Sequence, residues 1–496
     1  MLLALSFPRY GHPACAWVAL APLLVALSGW TGRPAPLRGR RPLRAFGLGL
    51  AAGVVYFTGT LYWTGAVLST FGGLSPALAG FAMLVLAAYQ ALYVALTAVA
   101  ISALVARGGA LALAVAPFAW VGGEFIRGTI LSGFPWVLLG SSQVTVLPVA
   151  QVASVVGVYG VTGVVAAVNA SIAYVLMTDG RRRFAVLGAV GAGLLAIGVW
   201  GSWRVADGAL ARSGEAIRVG LIQGNVEQGQ KWDPKFARRI FTTYVSMTRE
   251  AVRNGAEYVI WPESSTPFMF EEDPAAGALL RDLAAEVQTP ILFGSDQIVR
   301  GSTPRLYNAA FLVTPDRATA AVYRKVHLVP FGEFIPWKTW LSFASPLVES
   351  LMDFSAGERV EMLPVRGHPT STAICYEVVF PSLAREAVEN GSQLLTTITN
   401  DAWYGASSAP YQHFALASMR AIEQGRYLAR AANTGISGVV DPYGRVRQAS
   451  GIFTQVALVE EVRFLTGRTI YSHIGDVVAY AALALTAVAL VVLKRQ

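Results

Sequence analysis

Long apolar segments at both ends of this 496-residue chain constrain its fold more than any other feature. A helix that crosses a bilayer needs about 20 mostly apolar residues. Segments that reach or nearly reach this length occur at about 14–30, 46–68, 77–106, 110–126, 148–177, 184–203 and 475–493. We therefore predict a multi-span α-helical membrane domain at residues 1–203 and a closing transmembrane helix at 475–496.

The composition agrees with a membrane protein, because 54% of the residues are hydrophobic and only 14% are charged. The net charge of +9 does not indicate a nucleic-acid partner, because arginines cluster in short loops between apolar segments, at 33–44 and 181–183. Such loops face the cytoplasm in membrane proteins. Placing them, Arg107 and Lys494-Arg495 inside satisfies an alternating path and puts residues 204–474 outside.

The opening MLLALSF is too short to cross a bilayer, although an odd number of spans that ends inside would place the amino terminus outside. We interpret it either as the remnant of an eighth helix that starts upstream of Met1 or as part of a signal peptide. The basic region expected before the apolar part of a signal peptide is missing.

Residues 204–474 have ordinary globular composition, and strand and helix patterns alternate along them. The predicted strands are continuous apolar runs, which suits burial on both faces of a sheet. The pattern also predicts a hairpin about Pro315-Asp316, a helix through 411–432 and a final hairpin in ISGVVDPYGRVRQ. We therefore predict one compact α/β domain at 204–474.

Cys375 lies where an apolar run ends and a helix pattern begins, in STAICYEVVF. The helix is expected to begin at Pro381 and to end just before Gly391. The only other cysteine, Cys15, lies in an apolar segment, so a disulfide between the two is not expected. An isolated thiol at a strand-to-helix turn is either a buried core cysteine or a nucleophile.

Two further residues favour the nucleophile, because Glu263 in IWPES and Lys325 in YRKVHLVPFGE also follow apolar strands. A thiol is mostly protonated at neutral pH and needs a base, which Glu263 would supply. An ammonium from Lys325, together with the backbone N–H beside the cysteine, would stabilise a tetrahedral oxyanion. Glutamate, lysine and cysteine in this chain order resemble the nitrilase superfamily, which implies an α-β-β-α sandwich.

The motifs QGNVEQGQKWD, WPESSTPF, RKVHLVPFGEFIP, ICYEVVFP, TNDAWYG, QHFALASMRAIEQGR and RAANTGISGVVDPYG, between membrane segments, resemble the apolipoprotein N-acyltransferase family. The resemblance implies a membrane acyltransferase of the bacterial inner membrane with its catalytic domain on the extracytoplasmic side. It also implies a phospholipid acyl donor, a diacylglyceryl-modified apolipoprotein acceptor and a thioester on Cys375. Members of this family normally have eight spans.

Supporting residues follow from the same resemblance. Glu333 is implied to orient the lysine and the base, Glu377 matches a glutamate beside the nucleophile, and Tyr376 is expected to supply the oxyanion N–H. Trp232 and Trp403 match aromatic residues around the substrate pocket, although packing is an equal interpretation for both. No cluster of His, Cys and carboxylate residues in the sequence has metal-ligand spacing, and no Gly-rich phosphate loop follows a predicted strand, so neither a metal nor another cofactor is expected. The aromatic-rich stretch 331–355 is expected to cover the pocket or to enter the lipid.

Two alternatives remain open from the sequence. The first is a membrane-tethered amidase of the nitrilase type that acts on a small nitrogen compound. The second is a transporter or scaffold, which would need a polar track through the spans. Glu124 and Arg127 are exceptions in otherwise apolar spans, where ionisable groups face a polar cavity or each other. Their spacing of three residues on one helical face makes a mutual ion pair the simpler prediction.

Overall fold

The computed structural model describes residues 1–32, 37–335 and 353–493 of the chain. Its contacts divide the chain into two compact units. The first, here the helical unit, comprises Met1–Gly208, Ala406–Glu423 and Thr469–Gln496. The second, here the sandwich unit, comprises Ala209–Gly405 and Gln424–Arg468. The domain limits expected from the sequence, at 203/204 and 474/475, stay a prediction.

The helical unit consists of α-helices joined by short 3-10 turns. Its helices within Met1–Gly208 are α1 Ala16–Ala19, α2 Ala21–Leu27, α3 Pro42–Leu61, α4 Trp63–Thr70, α5 Pro76–Gly108, α6 Ala116–Thr129, α7 Leu147–Ala150, α8 Ala153–Met177 and α9 Arg182–Asp207. Within the described residues, four helical stretches are long and apolar enough to cross a membrane: Pro42–Leu61, Pro76–Ser132, Ala153–Met177 and Arg182–Arg212.

These stretches explain the seven apolar segments of the sequence only in part. The stretch Pro76–Ser132 contains two of the predicted segments, because the chain continues from α5 into α6 through a 3-10 turn at Gly109–Val115. The first and last segments form shorter apolar helices, Pro13–Leu27 and Val477–Val492. The helix Arg182–Arg212 buries only 6% of its most apolar window, as expected for a lipid-facing helix.

The predicted pairing of Glu124 with Arg127 is wrong. The Glu124 carboxylate accepts hydrogen bonds from the Leu139 amide at 2.8 Å and from the Thr162 hydroxyl at 2.8 Å. The Arg127 guanidinium instead donates to the carbonyl oxygens of Phe134 at 2.7 Å and Trp136 at 2.9 Å. Glu124 therefore binds backbone, hydroxyl and indole donors, the last from Trp120 at 3.3 Å, and Arg127 binds backbone carbonyls of the irregular segment after α6.

The sandwich unit contains two six-stranded sheets. The first has the order β12-β1-β2-β3-β4-β5, and the second has the order β11-β10-β9-β8-β7-β6. The first sheet consists of β1 Ala216–Gln223, β2 Tyr258–Ile260, β3 Ile291–Val299, β4 Arg305–Val313, β5 Thr319–Arg324 and β12 Val456–Arg463. The second consists of β6 Leu363–Val365, β7 His368–Ile374, β8 Leu395–Thr399, β9 Leu428–Ala432, β10 Gly438–Val440 and β11 Val446–Ala449.

Each sheet has a parallel centre, formed by β1-β2-β3 in one and β7-β8-β9 in the other. The two sheets pack on each other, with β1 near β9 and β4 near β7. Helices α10 (Pro234–Arg253) and α11 (Pro274–Val287) cover the first sheet, and their apolar side chains form one core with Trp261 and Phe293. This arrangement confirms the predicted sandwich of sheets and helices.

Local sequence signals explain most boundaries in this unit. Helix α10 begins after Asp233, whose side chain caps the Lys235 amide, and has proline at its first position. Helix α12 (Pro381–Glu389) likewise begins at Pro381, and Gly391 follows it with φ of 100°, a conformation that favours glycine. The helix expected from Pro381 to just before Gly391 is confirmed, and so are the two predicted hairpins, β4-β5 and β10-β11.

The helix predicted through 411–432 is wrong in its second half. Helix α13 (Ala409–Gln424) ends well before residue 432, Gly425 takes a positive φ of 60°, and Leu428–Ala432 is strand β9. The strand is fully buried in the centre of the second sheet. A short buried apolar run has no amphipathic period, so a strand there resembles a continued helix in sequence. The chain then ends in the short helix α14 (Ile470–Ile474) and in α15 (Val477–Val492).

Candidate active site

Glu263 follows strand β2 in a tight turn against strand β3. The Gly294 amide donates to the Pro262 carbonyl at 3.1 Å, and the Ser265 amide donates to the Gly294 carbonyl at 2.9 Å. A Cβ atom at Gly294 would come within 2.4 Å of the Ser264 nitrogen, so only glycine fits beneath this turn. The turn brings the buried Glu263 side chain to the carboxyl end of the sheet.

The Glu263 carboxylate is held by two asparagines from different sheets. Its Oε1 accepts a hydrogen bond from the side chain of Asn308 on β4 at 2.7 Å. Its Oε2 accepts one from the backbone amide of Asn400, just after β8, at 2.8 Å. Both oxygens are thus positioned before any substrate binds, which favours a fixed proton acceptor.

Lys325 follows strand β5 and lies between two carboxylates. Its Nζ donates to Glu333 Oε1 at 2.8 Å and lies 3.7 Å from Glu263 Oε1. Burial alone would lower the pKa of Lys325, but the charges of Glu333 and Glu263 outweigh burial and raise this pKa above its ordinary value. The side chain is therefore a fixed ammonium at neutral pH, which suits it to stabilise an oxyanion.

Cys375 directly follows strand β7 and begins a 3-10 turn that runs to Val379. Its φ of 53° lies in the left-handed region, which costs a non-glycine residue about 1–3 kcal/mol and is common at active sites. Electrostatic interactions couple its sulfur to both Glu263 and Lys325. Burial raises the pKa of the Cys375 thiol to about 12, the Glu263 charge adds to this rise, and Lys325 opposes it. The thiol is therefore protonated at rest and needs a base.

Glu377 links the turn after β7 to the segment that carries Lys325. Its Oε1 accepts hydrogen bonds from the Tyr323 hydroxyl at 2.7 Å and from the amides of Val326 at 2.6 Å and His327 at 3.0 Å. Its Oε2 accepts from the Ile374 amide at 2.7 Å. Burial raises the pKa of the Glu377 carboxyl to about 7, although the charge of Lys325 opposes this rise. The carboxylate fixes Lys325 relative to Cys375.

The structure thus brings Glu263, Lys325 and Cys375 together with Glu333 and Glu377. Tyr376 follows Cys375 in the same turn and is buried. Trp232 and Trp403 are both exposed, at 42% and 39%. Residues 336–352 of the stretch expected to cover the pocket lie outside the described residues. No three His, Cys, Asp or Glu side chains gather as metal ligands within the described ranges.

Sequence reasoning missed several residues that touch these groups. Asn308 donates through one nitrogen to Glu263 at 2.7 Å and to Glu333 at 2.9 Å, so it aligns both carboxylates. Its signal is a polar residue inside the apolar strand LYNAAFLV. Asn400 belongs to the motif TNDAWYG, and Lys231 precedes Trp232 in QGQKWD, but neither had a role assigned from the sequence.

Comparison with known proteins matches two parts of the chain to protein families. The carbon-nitrogen hydrolase family matches residues 218–464, and the apolipoprotein N-acyltransferase N-terminal domain matches residues 1–171. An apolipoprotein N-acyltransferase of Geobacter metallireducens is 36% identical over 98% of this chain and 92% of its own length. The chain belongs to the apolipoprotein N-acyltransferase family. The family resemblance seen in the sequence motifs is confirmed.

Two further similarities accompany this assignment to the apolipoprotein N-acyltransferase family. An apolipoprotein N-acyltransferase of Gloeobacter violaceus is 36% identical over 97% of this chain and 91% of its own length. Among solved structures, a mutant amidase from Nesterenkonia sp. AN1 is 22% identical, with a TM-score of 0.40, and covers 52% of this chain and 95% of its own.

Proposed function

We propose that this chain transfers an acyl chain from a membrane phospholipid to the α-amino group of the diacylglyceryl-modified cysteine of an apolipoprotein. The observation that carries the proposal is the convergence of Glu263, Lys325 and Cys375 in one buried site of a chain from this family. A buried thiol beside a fixed carboxylate and a fixed ammonium suits acyl transfer through a covalent intermediate.

In the first half-reaction, the Glu263 carboxylate takes the proton of the Cys375 thiol, and the sulfur attacks the ester carbonyl carbon of the phospholipid. The negative charge that develops on the carbonyl oxygen is stabilised by the Lys325 ammonium and by the Tyr376 backbone N–H. The C–O bond then breaks, Glu263 returns the proton to the leaving oxygen, and a lysophospholipid departs. The enzyme is left as a thioester on Cys375.

In the second half-reaction, the α-amino nitrogen of the acceptor attacks the thioester carbonyl. Glu263 takes a proton from this nitrogen, the C–S bond breaks, and the Cys375 sulfur regains the proton. An α-amino group has a pKa near ~8, so a useful fraction is neutral and nucleophilic at physiological pH. Trp232 and Trp403 are exposed, and we assign them to contacts with the acyl substrates.

Glu333 and Glu377 support these steps through Lys325. Glu333 accepts a hydrogen bond from the Lys325 ammonium at 2.8 Å and balances its charge, so the lysine stays protonated throughout the cycle. Glu377 holds the backbone just after Lys325 through the amides of Val326 and His327, and the backbone just before Cys375 through the amide of Ile374. Neither glutamate needs to move a proton.

The same proposal places the chain in the inner membrane of a bacterium, with the sandwich unit on the extracytoplasmic side. Arginine-rich loops support this orientation, because basic loops stay in the cytoplasm. Of the loops used for it, residues 33–36 and 494–496 lie outside the described residues.

Cys375→Ala is the direct test of the nucleophile. Wild-type protein incubated with a phospholipid that carries a labelled acyl chain should gain the mass of that chain on the peptide containing Cys375. The alanine variant should gain none and should transfer none to a diacylglyceryl lipopeptide. Cys15→Ala, which changes the other cysteine, serves as the matched control and should behave as wild type. An acylated Cys375→Ala protein would refute the assigned nucleophile.

The same incubation separates this function from that of a membrane-tethered amidase. An amidase of the same fold would hydrolyse a small amide but would neither release lysophospholipid nor retain the label. Release of lysophospholipid together with labelled lipopeptide therefore supports acyl transfer, and ammonia release from a small amide without either product supports the alternative.

A further inference from the structure

A second buried lysine lies beside Glu263 and has no role in the steps above. Lys231 precedes helix α10 and is only 5% exposed. Its Nζ donates a hydrogen bond to the main-chain carbonyl oxygen of Glu263 at 3.3 Å and lies 5.9 Å from the centre of the Trp232 ring. Removing an ammonium from water is costly, so a lysine in such a place needs a compensating interaction.

The turn that receives this hydrogen bond is backbone-strained. Ser264, immediately after Glu263, has φ of 43°, which costs a non-glycine residue about 1–3 kcal/mol. Its side chain hydrogen-bonds Asp296 of strand β3, and its nitrogen lies directly above Gly294. The Glu263–Ser264 turn is therefore fixed from three sides: by Gly294 below, by Asp296 at the serine and by Lys231 at the glutamate carbonyl.

Lys231 forms no direct ion pair with a carboxylate of the described residues. Among the described residues, no carboxylate oxygen lies within 4.0 Å of the Lys231 nitrogen. The ion pairs of Glu263 and Glu333 are made with Lys325 instead. Three titratable groups face Lys231 from other elements: Glu263 after β2, Asp296 on β3 and Cys375 after β7. Its positive charge therefore acts on the base and on the thiol together.

We propose that Lys231 is a positioning residue for the base: its ammonium holds the main chain of Glu263 so that the carboxylate stays between Asn308 and Asn400, ready for the Cys375 proton. This inference deepens the proposed function and rests on Glu263 acting as the base. It assigns Lys231 no contact with substrate.

The pH dependence of this interaction follows from the environment of the lysine. Burial lowers the pKa of Lys231 to about 8, although Glu263, Asp296 and Cys375 raise it. Below about pH 8 the ammonium is present and holds the turn, and above that value the proton is lost and the hold weakens. Acyl-enzyme formation by the wild type should therefore decline as pH rises through about 8.

The test uses the full-length protein with Lys231→Met, which keeps the length of the side chain and removes its charge, and Lys231→Arg, which keeps the charge. Lys235→Met is the matched control, because Lys235 is an exposed lysine four residues further along. Losing a hydrogen bond from a charged group should slow acyl-enzyme formation roughly 10- to 100-fold in Lys231→Met. That variant should also lose the decline near pH 8, whereas Lys231→Arg should keep most of the rate and shift the decline to higher pH.

A second measurement does not depend on the substrate. Alkylation of Cys375 by iodoacetamide, followed peptide by peptide so that Cys15 is distinguished, should slow in Lys231→Met at neutral pH and stay unchanged in Lys235→Met. If the wild type alkylates but transfers no acyl chain, the proposed function fails while this comparison still decides the role of Lys231. If Lys231→Met is acylated and alkylated as fast as the wild type, the inference is overturned. Should Lys231→Met fail to fold, a Lys231→Arg protein that retains the wild-type decline near pH 8 would overturn it equally.

Discussion

Substitution of Glu377 probes how the two sheets cooperate, because this side chain is 0% exposed and accepts hydrogen bonds from both. Three donors reach its Oε1, from Tyr323, Val326 and His327, and one reaches its Oε2, from Ile374. A buried donor without an acceptor costs about 1–3 kcal/mol. Glu377→Ala strands all four donors, so it should lower the free energy of unfolding by roughly 4–12 kcal/mol if the losses add. This is comparable to the whole net stability of a domain.

Glu377→Gln is the informative variant, because it keeps the shape and one acceptor oxygen. That oxygen can still serve the three donors of the Lys325 segment, but the amide nitrogen would then face the N–H of Ile374. The expected loss is about 1–3 kcal/mol, which should lower Tm by roughly 3–10 °C for a unit of this size. Because Lys325 is no longer held against the Cys375 turn, acyl-enzyme formation should slow by about 10–100-fold with little change in KM.

Thermal unfolding and mass spectrometry of the acyl-enzyme, both on detergent-purified protein, measure these effects. Glu250→Gln is the matched control, because Glu250 is exposed on helix α10 and should show neither change. The order expected for both stability and rate is wild type, then Gln, then Ala. A Glu377→Gln protein with the Tm and acylation rate of the wild type would contradict the assigned role of the carboxylate, and so would an equal loss in Glu250→Gln.

Two further predictions concern the surroundings of Glu263. Asn308→Leu removes the donor shared by two carboxylates, so acylation should slow by about 10²-fold or more, measured as the single-turnover rate; a rate within twofold of wild type would contradict this alignment. Gly294→Ala forces a Cβ to within 2.4 Å of the Ser264 nitrogen and should destabilise the protein by about 1–3 kcal/mol in thermal unfolding. Gly301→Ala is the control, since its nearest atom would lie 3.9 Å away.

Local patterns in the sequence predict the three reacting residues but not the residues that form hydrogen bonds with them. Glu263, Lys325 and Cys375 each follow an apolar strand, and strand ends are visible in the order of residues. Asn308 and Asn400, which hold Glu263, lie 45 and 137 residues away from it. Such pairings depend on the order of strands in the two sheets, which periodicity does not reveal.

Hydrophobic periodicity also does not identify a strand that is buried on both faces, such as β9. The run from α13 into β9 is buried from Leu416 to Ala432, with polar side chains such as Arg420 and Arg430 buried alongside the apolar ones. Its sequence therefore has no amphipathic period that distinguishes a helix from a strand, and the break at Gly425 is the only signal. In the helical unit, the spacing of Glu124 and Arg127 predicted a pair, but the irregular segment after α6 offered backbone acceptors to Arg127 instead. Helical spacing alone takes no account of such competing partners.

The reacting groups sit on opposite halves of the sandwich: Glu263 and Lys325 follow strands of the first sheet, and Cys375 follows a strand of the second. The spacing between the two sheets therefore helps to set the distance between the Glu263 carboxylate and the Cys375 sulfur. A bulkier side chain in the interior between the sheets, far from any substrate, would widen the gap between proton acceptor and sulfur, and a displacement of about 1 Å can cost about 10²-fold in rate. Substitutions in the surrounding loops can thus change which lipid or peptide is accepted without changing this distance. Substitutions in the interior between the sheets change the rate of the chemical step.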